Sequence, residues 1–167
     1  MSLAPLNAGD GMLFGSNIPE NVNAFLQAAA MKPNDEAWAE MNLQQALAEN
    51  PEQLEVYVAL YKFYCYRGRF DEAEAMARMA LAKAAAQAGL DSDWWALGPE
   101  SADWSLFEGP ARLLLYSLKA LAFISLRQQR IQEAEEVLDL LLKLDPEDRV
   151  GSSVVRDMAA AILDDHH

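Results

Sequence analysis

The stretch that decides the fold is LEVYVALYKFYCYRGRFDEAEAMARMAL, residues 54–81. It contains two segments whose apolar residues recur at helical spacing, separated by a turn at residues 67–69. Tyr57, Leu60 and Tyr64 recur at steps of three and four in the first half, and alanines do so in the second. Because small side chains allow a second helix to approach closely, the pattern predicts an antiparallel helix pair. Such a pair keeps one apolar face uncovered and needs neighbours of its own kind.

The neighbours are present in the sequence. The layout recurs 61 positions downstream, where Ala134 takes the place of Ala73. Upstream, Ala39 begins another copy of the second half. Pro51 and Pro146 close the upstream and downstream copies, since proline cannot continue a helix. The recurrence predicts about three helix pairs stacked in succession.

On these residues the chain resembles the tetratricopeptide repeat family, whose pattern W-x2-L-G-x2-Y, A-x3-F and P recurs about every 34 residues. Tyr57, Leu60 and Tyr64 stand at the Trp, Leu and Tyr positions, while Tyr61 departs from the small Gly position. The downstream copy matches at Leu118, Leu121, Ala122, Ala134 and Pro146. The resemblance covers roughly residues 20–165. It implies an all-α superhelix with a C-terminal capping helix.

The predicted organisation has two parts. Residues 1–17 contain three glycines without helical period and are expected to form a flexible lead-in. Residues 18–165 are expected to form one helical-repeat domain. The step of 61 positions exceeds one repeat by about 27 residues, so an insertion is predicted at about residues 89–110, between pairs two and three.

Capping residues predict several boundaries. Asp71 is a natural N-cap for the second helix of the central pair, and Gly89 can end that helix in a left-handed conformation. Ser92 and Ser101 are expected to cap short turns in the insertion. Pro110 is expected to open the third pair.

Composition agrees with an all-α protein and restricts its partners. The chain has 52% hydrophobic residues and no threonine, which favours helix over sheet. Its 26 acidic and 13 basic residues give a formal net charge of -13. Nucleic acid and anionic membrane both need a cationic face, so neither is an expected partner. The acidic residues also serve the simpler role of keeping a leucine-rich surface in solution.

The expected compartment is the cytoplasm. Cys65 is the single cysteine of the chain, so no internal disulfide forms and a reducing environment fits. No apolar run reaches the ~18 residues of a membrane span. The first residues lack the cationic start and apolar core of a signal peptide.

Catalysis is not expected. The only histidines are the last two residues, so the sequence offers no internal histidine base and no histidine-containing metal cluster. Cys65 lacks a histidine that could activate it, and no glycine-rich loop leads into a helix in a phosphate-binding pattern. We therefore predict no enzyme activity, no metal and no cofactor.

In the family that the chain resembles, the first helices of successive pairs line a concave groove that binds peptides. Carried over by position, the resemblance implies a peptide-binding groove lined by Val58, Lys62, Cys65, Tyr66, Tyr116, Lys119, Phe123, Leu126 and Arg127. From the first pair it would add Asn21, Ala24, Phe25, Ala28 and Met31. The set is apolar with three cations, which suits an apolar peptide segment carrying an acidic group. The alternative is that these residues form the core.

The insertion holds Trp94, Trp95, Trp104 and Phe107. This is too much apolar surface to leave in water, since each tryptophan can bury 150–250 Å². One hypothesis is that the insertion folds over the groove and fills it. Another is that its aromatic residues form a contact surface for a homodimer.

The leading functional prediction is a protein-interaction module, either an adaptor or an assembly factor. The first alternative is a small acidic chaperone of the secretion type, which would hold a segment of an exported subunit. The second is a structural protein that self-associates. The partner should be another protein or peptide, not nucleic acid or membrane.

Overall fold

The computed structural model describes residues 34–165, which contain six α-helices and one short 3₁₀ helix. The α-helices are α1 (Glu36–Glu49), α2 (Leu54–Tyr66), α3 (Phe70–Gln87), α4 (Pro110–Arg127), α5 (Ile131–Leu144) and α6 (Ser153–Asp165), and the 3₁₀ helix is Trp94–Ala96. Residues 34–165 contain no β-strand. The predicted all-α class is confirmed.

Some predictions fall outside the described residues. These are the lead-in at residues 1–17, the first helix of the first pair, and the groove residues assigned to that helix.

The helices stack in chain order. Each helix packs against the next, and in addition α2 contacts α4 and α4 contacts α6. The pairs α2–α3 and α4–α5 are the predicted central and third pairs, α1 corresponds to the helix predicted as the second of the first pair, and α6 follows as the last described helix. Alternate helices therefore form one row, which is the arrangement of a helical superhelix.

The turns inside the two complete pairs have the same geometry. Gly68 follows α2 with φ 71°, and Gln129 follows α4 with φ 66°. The next backbone N–H in each turn donates to a carbonyl five residues earlier. Arg69 donates to Tyr64 at 2.9 Å, and Arg130 donates to Ser125 at 2.8 Å. The two turns lie 61 positions apart, so the backbone repeats at the spacing found in the sequence.

An arginine at the start of each second helix binds the second helix of the preceding pair. Arg69, before α3, lies 2.9 Å from Glu40 of α1. Arg130, before α5, lies 2.8 Å from Glu74 of α3. The two glutamates are 34 positions apart and the two arginines 61. The same ion pair thus joins successive pairs at both junctions.

The core is centred on α4. Residues 111–126 of this helix are all buried, because α2, α3, α5 and α6 each pack against it. The buried face of α3 consists of five alanines, among them Ala73, Ala77 and Ala80, and one leucine, Leu81. The predicted close packing of the central pair rests on these alanines.

The prediction that Asp71 caps α3 was wrong. The helix begins at Phe70, one residue earlier, with Arg69 at the N-cap. The left-handed residue Gly68 turns the chain so early that Asp71 already lies in the first helical turn. Its carboxylate instead accepts a hydrogen bond from the side-chain amide of Gln128 at 2.9 Å.

The end of α3 was predicted correctly, and the capping of the insertion in part. The helix ends at Gln87, and Gly89 has φ 71°. Asp93, not Ser92, caps the 3₁₀ helix, because its carboxylate accepts from the backbone N–H of Trp95 at 3.2 Å. The hydroxyl of Ser101 accepts from the N–H of Gly98 at 2.9 Å and closes a turn.

Candidate functional site

The nine predicted groove residues lie on two helices that touch each other. Four are on α2 and five on α4. Six of the nine are buried: Val58, Cys65, Tyr116, Lys119, Phe123 and Leu126. For these six the structure has the burial expected of core residues. Lys62, Tyr66 and Arg127 keep accessible surface.

Lys119 was predicted as a groove cation, but its position is structural. It is 1% exposed, and its ammonium group donates to the backbone carbonyl of Val150 at 2.9 Å. A lysine is almost never fully buried unless its charge is satisfied. Lys119 therefore holds the segment that leads into α6.

The same segment, residues 145–150, is fixed from several sides. The buried Asp145 accepts from the backbone N–H groups of Arg149 at 2.9 Å and Val150 at 3.0 Å. Arg112 of α4 donates to the carbonyl of Arg149 at 3.1 Å and to the hydroxyl of Tyr116 at 3.2 Å. These contacts attach α6 to α4.

Arg112 was missed as a residue of this face. It lies four residues before Tyr116 and seven before Lys119, so the three share one side of α4. It is also buried. The helical spacing of Arg112 and Lys119 is visible in the sequence. The sequence of an apolar helix does not show, however, which of its cations other helices bury.

The accessible predicted residues lie in the last two turns of α2 and α4, two helices that contact each other, and we call Lys62, Tyr66 and Arg127 the α2–α4 end surface. Lys62 and Tyr66 are one helical turn apart, and Tyr66 is 49% exposed. The guanidinium carbon of Arg127 lies 4.8 Å from the centroid of the Phe70 ring. A cation on an aromatic ring, with Lys62 on the neighbouring helix, suits an acidic side chain or a carboxylate next to an apolar group.

Cys65 lies beneath this surface, and its chemistry follows from burial. Burial raises the pKa of the thiol to about 12, although the charge of Arg127 acts in the opposite direction. The thiolate, which is the nucleophile, is therefore negligible near neutral pH. Cys65 has the properties of a small core residue.

Residues 34–165 contain no group of three or more histidine, cysteine, aspartate or glutamate side chains that could hold a metal ion. Within the same range, none of the helices has the length and apolar character needed to cross a membrane.

The residues of the insertion divide into inner and outer sets. Trp104 is buried with Leu97, and its indole N–H donates to the carbonyl of Gly98 at 3.0 Å. Trp94 packs against the core and is half-buried, whereas Trp95 and Phe107 are exposed. That the insertion fills a groove stays a prediction.

Fold and surface together define an all-α protein of stacked helix pairs whose alternate helices form one row. Among known proteins, the chain belongs to the family of an uncharacterized 19.8 kDa protein in the nifW 5' region of Azotobacter chroococcum mcd 1. The two are 30% identical over 127 residues, which is 75% of this chain and 71% of the relative. No protein-family model matches the chain. No solved structure matches it.

Proposed function

We propose that this chain is a non-catalytic protein-interaction module of the tetratricopeptide repeat kind. It acts as an adaptor or assembly factor and binds a peptide segment of another protein at the α2–α4 end surface, since residues 111–126 of α4 are buried. The description of its relative names no activity, so the proposal rests on geometry.

The observation that carries the proposal is the packing of alternate helices. Because α2 contacts α4 and α4 contacts α6, successive first helices lie side by side. Repeat arrays with this arrangement use such a row to bind partners, and the predicted groove residues that stay accessible on it in this chain are Lys62, Tyr66 and Arg127.

The ion pair that recurs at both junctions, Arg69 with Glu40 and Arg130 with Glu74, supports the assignment to a repeat protein. The left-handed turn is weaker support, since it is a common helix ending and also follows α3 at Gly89.

The ligand chemistry follows from the α2–α4 end surface. Lys62 and Arg127 bring positive charge to a protein whose net charge is -13, and Tyr66 adds exposed aromatic surface. The segment should therefore present an acidic group beside an apolar one. Opposite charge at such an edge mainly raises the association rate and fixes orientation.

We also propose that the chain is cytoplasmic. The state of Cys65 supports this and the non-catalytic role. The pKa of Cys65, raised by burial, removes the one thiol from nucleophilic chemistry. Its free, buried state suits a reducing compartment.

The test is capture of a partner from the native cell on an immobilised chain. Lys62→Glu combined with Arg127→Glu should reduce the captured partner about tenfold or more, because like charge repels the acidic group. Lys143→Glu on the exposed side of α5 is the matched control and should capture normally. Equal capture by all three chains would contradict the proposal. Changes at Lys119 or Phe123 are unsuitable, since both are buried and would damage the fold.

A further inference from the structure

We call the segment that joins α3 to α4, residues 88–109, the aromatic connector. It offers a surface separate from the α2–α4 end surface. Its inner side is anchored, because Leu97 and Trp104 are buried in the core. The hydrogen bond from the Trp104 indole to the carbonyl of Gly98 closes the segment on itself. The connector therefore has a defined conformation and packs on the core of the fold.

Its outer side presents large apolar groups to solvent. Trp95 is 44% exposed, Leu106 50% and Phe107 79%. Trp94 stacks on Trp95 with ring centroids 4.2 Å apart, so the exposed ring has a fixed orientation. Large apolar side chains that stay exposed on an anchored segment are candidates for contact with a partner.

The charge of the connector is of one sign. Five carboxylates lie within it and no lysine or arginine does. They belong to Asp91, Asp93, Glu100, Asp103 and Glu108. Among the residues that the structure describes, none of the five is in an ion pair. Two arginines from outside come to this segment. Arg149 donates to the carbonyl of Ser105 at 3.0 Å and pairs with Glu147, and the guanidinium carbon of the buried Arg112 lies 6.0 Å from the centroid of the Phe107 ring.

We infer that the aromatic connector is a docking surface for a basic, amphipathic segment of another protein. Arginine or lysine side chains of that segment would lie on the face of Trp95 and pair with the neighbouring carboxylates, while its apolar side chains cover Leu106 and Phe107. A cation over a tryptophan ring is the strongest of the cation–π contacts. The carboxylates select the sign of the charge, and the aromatic rings supply the apolar contact.

This surface goes beyond the proposed function, because it differs from the α2–α4 end surface in place and in charge. The end surface has two cations and suits an acidic group. The connector has five carboxylates and suits a basic one. One chain would then contact two partner segments of opposite charge.

A second copy of this chain is a poorer occupant than a basic segment. Pairing two connectors would bring five carboxylates against five, within chains that each have a net charge of -13. Like charges placed opposite each other disfavour association. If the chain nevertheless self-associates through Trp95, the inference of a basic partner is wrong.

The test uses a synthetic amphipathic peptide of arginine and leucine, titrated into the full chain by calorimetry. Trp95→Ser should weaken binding about tenfold, as expected for an aromatic anchor. Glu100→Gln with Glu108→Gln should also weaken it and reduce its salt dependence. Leu142→Ser and Glu135→Gln, on α5, are the matched controls and should bind like the wild type.

Three results would overturn the inference. The first is no binding of the basic peptide to the wild-type chain. The second is equal weakening by the α5 controls, which would indicate unspecific attraction to an acidic protein. The third is a concentration-dependent doubling of mass that Trp95→Ser abolishes, which would make a second copy the occupant. None of these results depends on the α2–α4 end surface.

Discussion

Arg130 at the start of α5 lies 2.8 Å from Glu74 of α3, and the same contact joins Arg69 to Glu40 one pair earlier. Glu74 also contacts Arg78 at 2.8 Å, and Arg78 reaches Glu133 of α5 at 2.6 Å. The junction between the central and third pairs is therefore a network of two arginines and two glutamates. Networks contribute more than isolated surface pairs.

This network predicts a specific loss of stability in acid. Burial acts to raise the pKa of Glu74, but contacts with Arg130, Arg78 and Gln128 outweigh burial and lower it from 4.5 to about 2. Because the folded state binds the proton less tightly than the unfolded state, Glu74 stabilises the fold above pH 4.5. That contribution is lost as the pH falls from 4.5 towards 2.

Glu74→Gln should therefore lower the free energy of unfolding at pH 7 by about 1–3 kcal/mol and flatten its dependence on pH below 4.5. Urea unfolding followed by circular dichroism at several pH values measures both effects. Glu135→Gln, for which no ion pair is seen within residues 34–165, is the control and should change stability by less than about 0.5 kcal/mol. An unaltered acid profile in Glu74→Gln would refute the role given to the network.

The repeated turn makes a second prediction. Gln129 has φ 66°, a conformation that glycine adopts without cost and that Gly68 adopts in the equivalent turn. Gln129→Gly should stabilise the chain or leave it unchanged, whereas Gly68→Ala should destabilise it by about 1 kcal/mol. Thermal unfolding of the two variants decides the matter. A loss of more than about 1 kcal/mol in Gln129→Gly, which exceeds the entropic cost of a glycine, would show that the side chain fixes that turn.

The buried lysine makes a third prediction. Lys119→Ala removes the donor to Val150 and leaves a cavity, so it should cost about 2–4 kcal/mol. Lys119→Met keeps most of the volume without the charge and should cost less, as buried charges are expensive to retain. Urea unfolding gives both values. The control is Lys143→Ala, a change at an exposed position of α5. A loss below about 0.5 kcal/mol in Lys119→Ala would show that the contact is dispensable.

The burial of Cys65 makes a fourth prediction. Since burial raises the pKa of its thiol to about 12, the folded chain should react very slowly with a thiol reagent at pH 8. In guanidinium chloride the same thiol should react at the rate of an unstructured cysteine. Rapid labelling of the folded chain would indicate that α2 and α4 open readily around this residue.

The sequence predicted the repeating parts of the fold better than its junctions. Spacing placed the turn after α2, the end of α3 near Gly89 and the start of α4 at Pro110, because glycine, proline and helical period act locally. It did not place the start of α3, since Asp71 is an acceptable cap in isolation. The position of Gly68, a neighbour in sequence, decided that boundary instead.

The candidate site was predicted less well, for a physical reason. Periodicity identifies which residues share one side of α4, but not what covers that side. Lys119 and Phe123 therefore looked like groove residues and are buried. The arginine contacts at Arg69 and Arg130 were missed because neither residue belongs to the apolar pattern, although both repeat at the spacing of the turns.

The most direct test of the interaction surface places a photoreactive amino acid at Tyr66, which is 49% exposed on the α2–α4 end surface. The control is a chain that carries the same group at Leu142, an exposed position of α5. After irradiation in the native cell, we predict a cross-link from position 66 to a segment of a second protein that contains acidic residues, and none from position 142. Cross-links of equal yield from both positions, or from position 142 alone, would contradict the account.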